Sequence, residues 1–155
     1  MLVVVENQIV IIGTTKGMAW SETLPTAEGV PFTGRTFSRC HLPGDHETVP
    51  SIHEIWATTE HAVEGHAHDS DELLYVLKGV IEVNGQTLKR NEVVFISRGT
   101  SYRARVLSIE GAHVLRIGFA NAAAEAFEPE YEPRTWTGPV TQEGFPDLAG
   151  ASDHR

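Results

Sequence analysis

Residues 65–79 read GHAHDSDELLYVLKG, and this stretch decides which fold and which chemistry the sequence predicts. His66 and His68 are separated by one residue, so on an extended strand they would point to the same side. The intervening residues 69–71 favour a turn, after which Glu72 begins an apolar run typical of a second strand. The spacing therefore predicts two imidazoles and one carboxylate that face one cavity.

Two histidines and one carboxylate on neighbouring strands can hold one divalent metal ion. With open coordination positions, this ligand set is typical of non-haem Fe(II) oxygenases, and it also accepts Zn, Ni, Co or Mn, because affinity alone does not select the metal. The alternative is that His66 and His68 are surface histidines in a solvated turn. The combination with Glu72 on the next strand favours the metal site.

The rest of the chain predicts an all-β sandwich or barrel. Apolar residues occur in short runs rich in Val and Ile, separated by Gly, Pro and Asn. The clearest turn is Asn84-Gly85, because this pair tolerates the positive φ angles of a type I′ hairpin. The predicted strands are Leu2–Val5, Gln8–Ile12, Arg35–Cys40, Ser51–Thr58, Leu73–Leu77, Val80–Val83, Glu92–Ile96, Tyr102–Val106 and His113–Phe119.

Two segments lack the strand pattern. Residues 13–34 mix Thr, Gly and Pro and predict a long loop, and the acidic, Pro- and Gly-rich sequence from Glu128 onward predicts an arm or a disordered tail. Residues 121–127 could form one or two helical turns with Asn121 as the N-cap. The predicted organisation is a domain over 1–127, with its barrel at about 50–120 after N-terminal strands within 1–49, and a tail over 128–155.

Composition limits the class of protein. The 155 residues include 21 acidic and 12 basic side chains, for a net charge of −9, and 41% are hydrophobic, which suits one domain with a real core. The acidic balance argues against nucleic-acid and membrane partners. The apolar start is interrupted by Glu6 and Asn7 and lacks a basic region, so we do not expect a signal peptide. Because the single Cys40 cannot form an intrachain disulfide, we expect a cytoplasmic protein.

Four residues match the spacing of the first motif of a known superfamily: His66, His68, Glu72 and Gly79. Glu60 stands where the leading Gly of that motif is expected, and Gly65 directly precedes the first histidine. On these residues the chain resembles the cupin superfamily over about residues 50–120. The resemblance implies a double-stranded β-helix, a jelly-roll β-sandwich that is often dimeric and holds its metal between two sheets.

The second cupin motif is matched only in part, within residues 91–106. Gly99 is retained, whereas three other motif positions are changed, to Asn91, Ser97 and Val106. Tyr102 stands in place of the histidine that is the fourth metal ligand in many cupins. The resemblance therefore implies a site with His66, His68 and Glu72 as metal ligands and a tyrosine beside them.

Three roles are open to Tyr102. It could ligate the metal as a phenolate, which requires a large drop from its usual pKa of about 10. It could leave the position to water and act as a hydrogen-bond donor or acid/base beside it. It could also fill the space in a site that binds no metal. We favour the second role and treat Tyr102 as the candidate catalytic residue.

Two further histidines are candidates for the pocket. His53 lies about one strand before the first motif and could line the pocket mouth. His113 shares strand parity with Leu115 and Ile117, the more apolar face and hence the predicted inner one. The alternative for His113 is a hydrogen-bonded position at the end of its strand. Arg116 has the opposite parity, so we expect it on a solvated sheet face.

The resemblance does not identify a substrate, because one fold hosts many functions. We expect a metal-dependent enzyme acting on a small organic molecule, with a non-haem Fe(II) dioxygenase as the leading hypothesis. The alternatives are a metal-dependent isomerase, lyase or cyclase, and a non-catalytic cupin that binds a small ligand. We also expect a homodimer, because sheet edges need protection and the apolar residues 2–12 suit strand addition to a neighbour.

Overall fold

The computed structural model describes residues 18–25, 31–44, 49–68, 70–119 and 131–149. These residues form twelve strands: β1 (Ser21–Pro25), β2 (Phe32–Thr33), β3 (Thr36–Leu42), β4 (Ser51–Ala57), β5 (Ala62–His66), β6 (Glu72–Lys78), β7 (Ile81–Val83), β8 (Gln86–Leu88), β9 (Val93–Ile96), β10 (Tyr102–Val106), β11 (Ala112–Gly118) and β12 (Tyr131–Thr135). Three predicted elements, the strands Leu2–Val5 and Gln8–Ile12 and the helical turns at 121–127, lie outside the described residues.

The strands form two antiparallel sheets, which confirms the predicted all-β fold. The larger sheet has the order β12-β1-β3-β4-β11-β6-β9, and the smaller has the order β2-β5-β10-β7-β8. The predicted hairpin joins β7 to β8, where Asn84 and Gly85 have φ angles of 48° and 81°. Within the described ranges, no helix has the length and apolar character that a membrane span requires.

The interior between the sheets is apolar at one end and polar at the other. The apolar core contains eleven buried residues, among them Val76 and Val114, and Tyr102 lies at its border with the polar end, beside His66. Along β6, Glu72 precedes Leu74 and Val76 on the same face, so the strand runs from the polar end into the apolar end. The interior thus combines a packed apolar core with a group of buried polar side chains, His68, Glu72 and Arg116, which we call the polar chamber.

The region predicted as a loop over 13–34 contains β1 and part of the smaller sheet, so that prediction is wrong. β1 reads SETLP and is partly exposed along most of its length, and β2 has only two residues. Neither has the alternation that a half-buried strand produces. They are strands because β1 pairs with β3 and β12, and β2 pairs with β5. Tertiary pairing overrides local sequence preference here.

The C-terminal segment packs on the outer face of the larger sheet. Phe145 is 7% exposed, and its ring stacks on that of Trp56 with centroids 4.5 Å apart. Trp20 and Phe37 complete a second aromatic core there, which is separate from the one between the sheets. Residues 131–149, within the predicted tail, therefore form an arm with strand β12 at its start.

Two glycines with similar backbone angles give a test of the packing after β6. Gly79 has φ +84 and Gly85 has φ +81, so alanine is strained at both. A Cβ at Gly79 would also overlap the carbonyl oxygen of Gly111 and lie 2.6 Å from Ser108 Oγ, whereas a Cβ at Gly85 meets no atom within 4 Å. We expect Gly79→Ala to lower the free energy of unfolding by about 1–3 kcal/mol more than Gly85→Ala, in chemical denaturation. Equal losses would contradict this packing.

Candidate functional site

The two histidines of the sequence motif lie close together, but not as neighbours on one strand. β5 ends at His66, and the chain then turns so that the His68 carbonyl accepts a hydrogen bond from the Gly99 amide at 2.9 Å. The two imidazole rings have centroids 4.8 Å apart and planes at 82°. The predicted proximity is thus present, although strand alternation is not its cause.

Tyr102 lies between the two histidines and the core. It is 6% exposed and pairs across the sheet with His66. Its ring centroid is 4.5 Å from that of His66 and 5.8 Å from that of His68. The structure therefore brings Tyr102 to the same place as the predicted histidine ligands.

Glu72 is the deepest charged group in this chamber. It is the first residue of β6, has no exposed surface, and its Oε2 accepts a hydrogen bond from Arg116 Nε at 2.7 Å. Its other oxygen, Oε1, has no hydrogen-bond partner among the described residues and lies 4.0 Å from His68 Nε2. That distance is too long for a hydrogen bond. A buried carboxylate oxygen without a partner is energetically costly, so this oxygen marks a place where a ligand would be stabilised.

Arg116 faces the interior, contrary to the prediction that it faces solvent. Ala112, Val114 and Arg116 alternate as buried residues along β11, whereas Leu115 and Ile117 are only partly buried on the other side. The parity assignment failed because the outer face of this strand is also apolar. Arg116 is a functional candidate that the sequence analysis missed. Its position on the same strand face as Ala112 and Val114 could have indicated that it points inward.

His113 lies on the opposite face of the larger sheet, so a place in the pocket is wrong and the alternative, a hydrogen-bonded position near the end of its strand, is the one observed. Its Nε2 is 2.6 Å from Glu54 Oε1, and Glu54 is also bound by Arg39 and His41. The Phe145 ring of the C-terminal arm packs against the imidazole. His113 is on the same strand face as Leu115, which is the outer face, and it belongs to a buried polar cluster there.

His53 lies on the inner face of β4, directly across from Arg116 on β11 and from Cys40 on β3. Burial, and next to it the positive charge of Arg116, lower the pKa of His53 to about 4. The imidazole is therefore neutral at pH 7. The predicted pocket residue His53 is thus placed beside Arg116, within the polar chamber.

Burial also lowers the pKa of His68 to about 4, and the charges of Arg116 and His66 act in the same direction against the opposing effect of Glu72. A neutral imidazole keeps one nitrogen lone pair for a ligand. His66 Nδ1 is 2.9 Å from the Glu64 carbonyl oxygen. This contact assigns the proton to Nδ1 and the lone pair to Nε2, the arrangement that metal-ligating histidines typically have.

The donor types fit a divalent ion. Glu72 Oε1 and His68 Nε2 are two donors that converge, and His66 supplies a third donor of the correct tautomer. Within the ranges that the structure describes, no three His, Cys, Asp or Glu side chains are grouped closely enough to be identified as a metal site. Two donors therefore converge in the chamber, Glu72 Oε1 and His68 Nε2, and no third side chain completes a group with them among the described residues.

Solved structures with similar folds include an RmlC-like cupin. The chain is similar to the polyketide cyclase RemF from Streptomyces resistomycificus, with TM-score 0.57, 13% identity, and 86% of this chain and 89% of that chain covered. It is also similar to an RmlC-like cupin from Ralstonia eutropha JMP134, with TM-score 0.55, 14% identity, and 72% and 70% covered. The chain therefore has the cupin fold, and the double-stranded β-helix prediction is confirmed.

A further comparison has a lower structural similarity. A matched chain in the complex of Rhodobacter sphaeroides SigE with the anti-sigma ChrR gives TM-score 0.48 and 17% identity over 60% of this chain. The present chain spans about half of that protein, 51%. No protein-family model matches the sequence, and no curated protein matches it.

Proposed function

We propose that the chain is a metal-dependent cupin enzyme acting on a small organic molecule, with one divalent ion held by His66, His68 and Glu72. The observation that carries the proposal is the fully buried Glu72 carboxylate, whose Oε1 has no hydrogen-bond partner among the described residues and lies 4.0 Å from His68 Nε2. Fe(II) and a dioxygenase reaction are the leading hypothesis, and Zn, Ni, Mn or Co suits the same donors.

When bound, the ion would supply Lewis acidity and, as Fe(II), reactivity towards O₂. The residues of the chain have separate tasks in this proposal. His66 and His68 donate lone pairs, and Glu72 balances part of the charge of the ion. Tyr102, within 4.5–5.8 Å of both imidazole ring centroids, donates a hydrogen bond or moves a proton beside the substrate. Because Tyr102 need not ligate the ion, coordination positions would remain available for a small molecule.

One observation favours a second candidate, a non-catalytic cupin that binds a small ligand without metal. Arg116 Nε donates to Glu72 Oε2 at 2.7 Å, so a permanent cation of the protein already balances the buried carboxylate. In this candidate, the polar chamber recognises its ligand through hydrogen bonds from His53, His68 and Tyr102. A metal measurement separates the two candidates.

The test is the metal stoichiometry of the full chain after removal of bound metal and reconstitution with Fe(II) under anaerobic conditions, or with Co(II). We expect one ion per chain, followed by oxygen uptake when the Fe(II) form meets a panel of enolisable substrates. Substrate conversion without oxygen uptake would favour the isomerase, lyase or cyclase alternative. A chain that takes up no ion under either condition would make the metal-free candidate the leading one.

A further inference from the structure

Among the described residues, the two sheets have four edge strands, and they differ in how well they are protected against pairing with another chain. A sheet edge offers unpaired N–H and C=O groups, and natural proteins protect it with short strands, charged residues or proline. The edges of the smaller sheet, β2 and β8, have only two and three residues. In β12, one edge of the larger sheet, Pro133 lies between Glu132 and Arg134. The other edge of that sheet, β9, has none of these features.

The edge strand β9 is apolar and exposed. It reads VVFI over Val93–Ile96, without a charged residue, glycine or proline, and within the described ranges it pairs only with β6. Val93 is 52% exposed and Phe95 is 57% exposed. Such an edge, rich in residues that favour β-structure, is a template for a further strand. β9 is therefore a place where another segment would extend the larger sheet.

The N-terminal residues have the composition of a strand that suits this edge. The residues outside the described ranges are 1–17, 26–30, 45–48, 69, 120–130 and 150–155. Within this set, runs of β-branched apolar residues occur in the sequence only at Leu2–Val5 and Gln8–Ile12. Gln8–Ile12 is apolar at every position after Gln8, and its length matches that of β9.

The length of the connection favours a second copy of the chain as the source of this strand. β3, β4, β11 and β6 lie between β1 and β9 in the larger sheet. A strand added beyond β9 would lie six strand spacings from β1, about 29 Å across the outer face. The chain from Ile12 to Ser21, where β1 begins, spans about 30–32 Å when fully extended. The chain's own segment would thus have no slack to follow the surface, whereas a segment from a second copy has no such limit.

We propose that Gln8–Ile12 of one copy of the chain adds to the β9 edge of a second copy, and that the reciprocal contact forms a two-fold symmetric dimer. Main-chain hydrogen bonds provide the affinity, and Val93 and Phe95 pack against the apolar side chains of the added strand. Each chain carries a net charge of −9, so two copies approach most readily at an uncharged edge. The inference is independent of the proposed function, because neither segment contains a residue of the polar chamber.

The test measures the mass of the full chain in solution over a range of concentrations, by light scattering after size-exclusion chromatography. We expect the parent to have twice the 17.0 kDa of one chain. Val93→Lys/Phe95→Lys places two charges on the edge, and Ile9→Lys/Ile11→Lys places two in the added strand, so both double variants should be monomeric. The matched control is Leu107→Lys/Ile109→Lys, which changes two exposed apolar residues that follow β10. This variant should stay dimeric.

Amide hydrogen exchange then locates the contact. The most protected β9 amides should exchange at least about tenfold more slowly in the parent than in Ile9→Lys/Ile11→Lys. A monomeric parent would overturn the inference, and slow exchange along β9 in that monomer would identify the chain's own segment as the cover. A dimer that persists in Ile9→Lys/Ile11→Lys, with unchanged exchange along β9, would also overturn it. If Val93→Lys/Phe95→Lys does not fold, the parent and the N-terminal variant decide.

Discussion

We expect Glu72→Leu to lower the free energy of unfolding of the metal-free protein by about 3–5 kcal/mol. The substitution removes the carboxylate that accepts the Arg116 Nε hydrogen bond at 2.7 Å and leaves a guanidinium with 9% side-chain exposure without this counter-charge. A buried guanidinium that loses a carboxylate partner is costly, whereas an apolar pair of similar volume is tolerated. The double variant Glu72→Leu/Arg116→Met should therefore recover most of the loss.

The matched control is the exposed pair of Glu82 and Arg105 on neighbouring strands of the smaller sheet. Solvent screens this pair, so Glu82→Gln should cost less than about 1 kcal/mol. Urea denaturation of the four proteins measures all these differences. If Glu72→Leu costs no more than Glu82→Gln, or if the double variant is no more stable than Glu72→Leu, the buried ion pair is not an energetic unit.

The second large effect is a loss of stability on acidification from pH 7 to pH 5. Burial lowers the pKa values of His53 and His61 to about 4, from the 6.5 that each has in the unfolded chain. Between these pKa values the unfolded chain binds protons that the folded chain does not, so the free energy of unfolding falls as the pH falls. Down to pH 5, each histidine contributes up to about 2 kcal/mol, at about 1.4 kcal/mol per pKa unit.

Between pH 7 and pH 5, protonation of the Glu54 carboxylate does not contribute to the change in stability. Burial raises its pKa, but the hydrogen bonds from Arg39 and His41 outweigh this and place it below 4.5. His53→Gln and His61→Gln should each flatten the pH dependence of urea-unfolding free energies between pH 7 and pH 5. A parent protein equally stable at both values, or variants with the slope of the parent, would show that these imidazoles are not buried as neutral groups.

The sequence predicted the parts of the fold that local chemistry determines. The Asn84-Gly85 hairpin follows from backbone preference, and β6, β9 and β11 follow from short apolar runs bounded by turn residues. β1, β2 and β12 were not predicted, because partners distant in sequence create them, whereas β5 was expected only through the strand that carries His66. The homodimer through residues 2–12 stays a prediction, because those residues lie outside the described ranges.

The main error at the site concerned which face of the sheet a side chain occupies. On β11 both faces carry apolar residues, because the C-terminal arm gives the larger sheet a second core that covers His113. The alternation of apolar residues therefore could not distinguish the inner face of β11 from the outer one. His113 was predicted on the inner face and Arg116 on the outer face, the reverse of what the structure shows. His66, His68 and Glu72 were predicted from spacing alone, and the structure brings His68 close to both of the others.

The most direct test of the metal proposal is the metal content of His68→Ala, Tyr102→Phe and His113→Ala beside the parent, after reconstitution and removal of loosely bound ions. Tyr102 as a ligand would have to lose a proton at a cost of about 4 kcal/mol at pH 7, so Tyr102→Phe should keep close to one ion per chain and lose turnover. His113→Ala, altered on the outer face, should keep the ion, and His68→Ala should lose most of it. A Tyr102→Phe protein as empty as His68→Ala, or a parent without metal, would contradict the account.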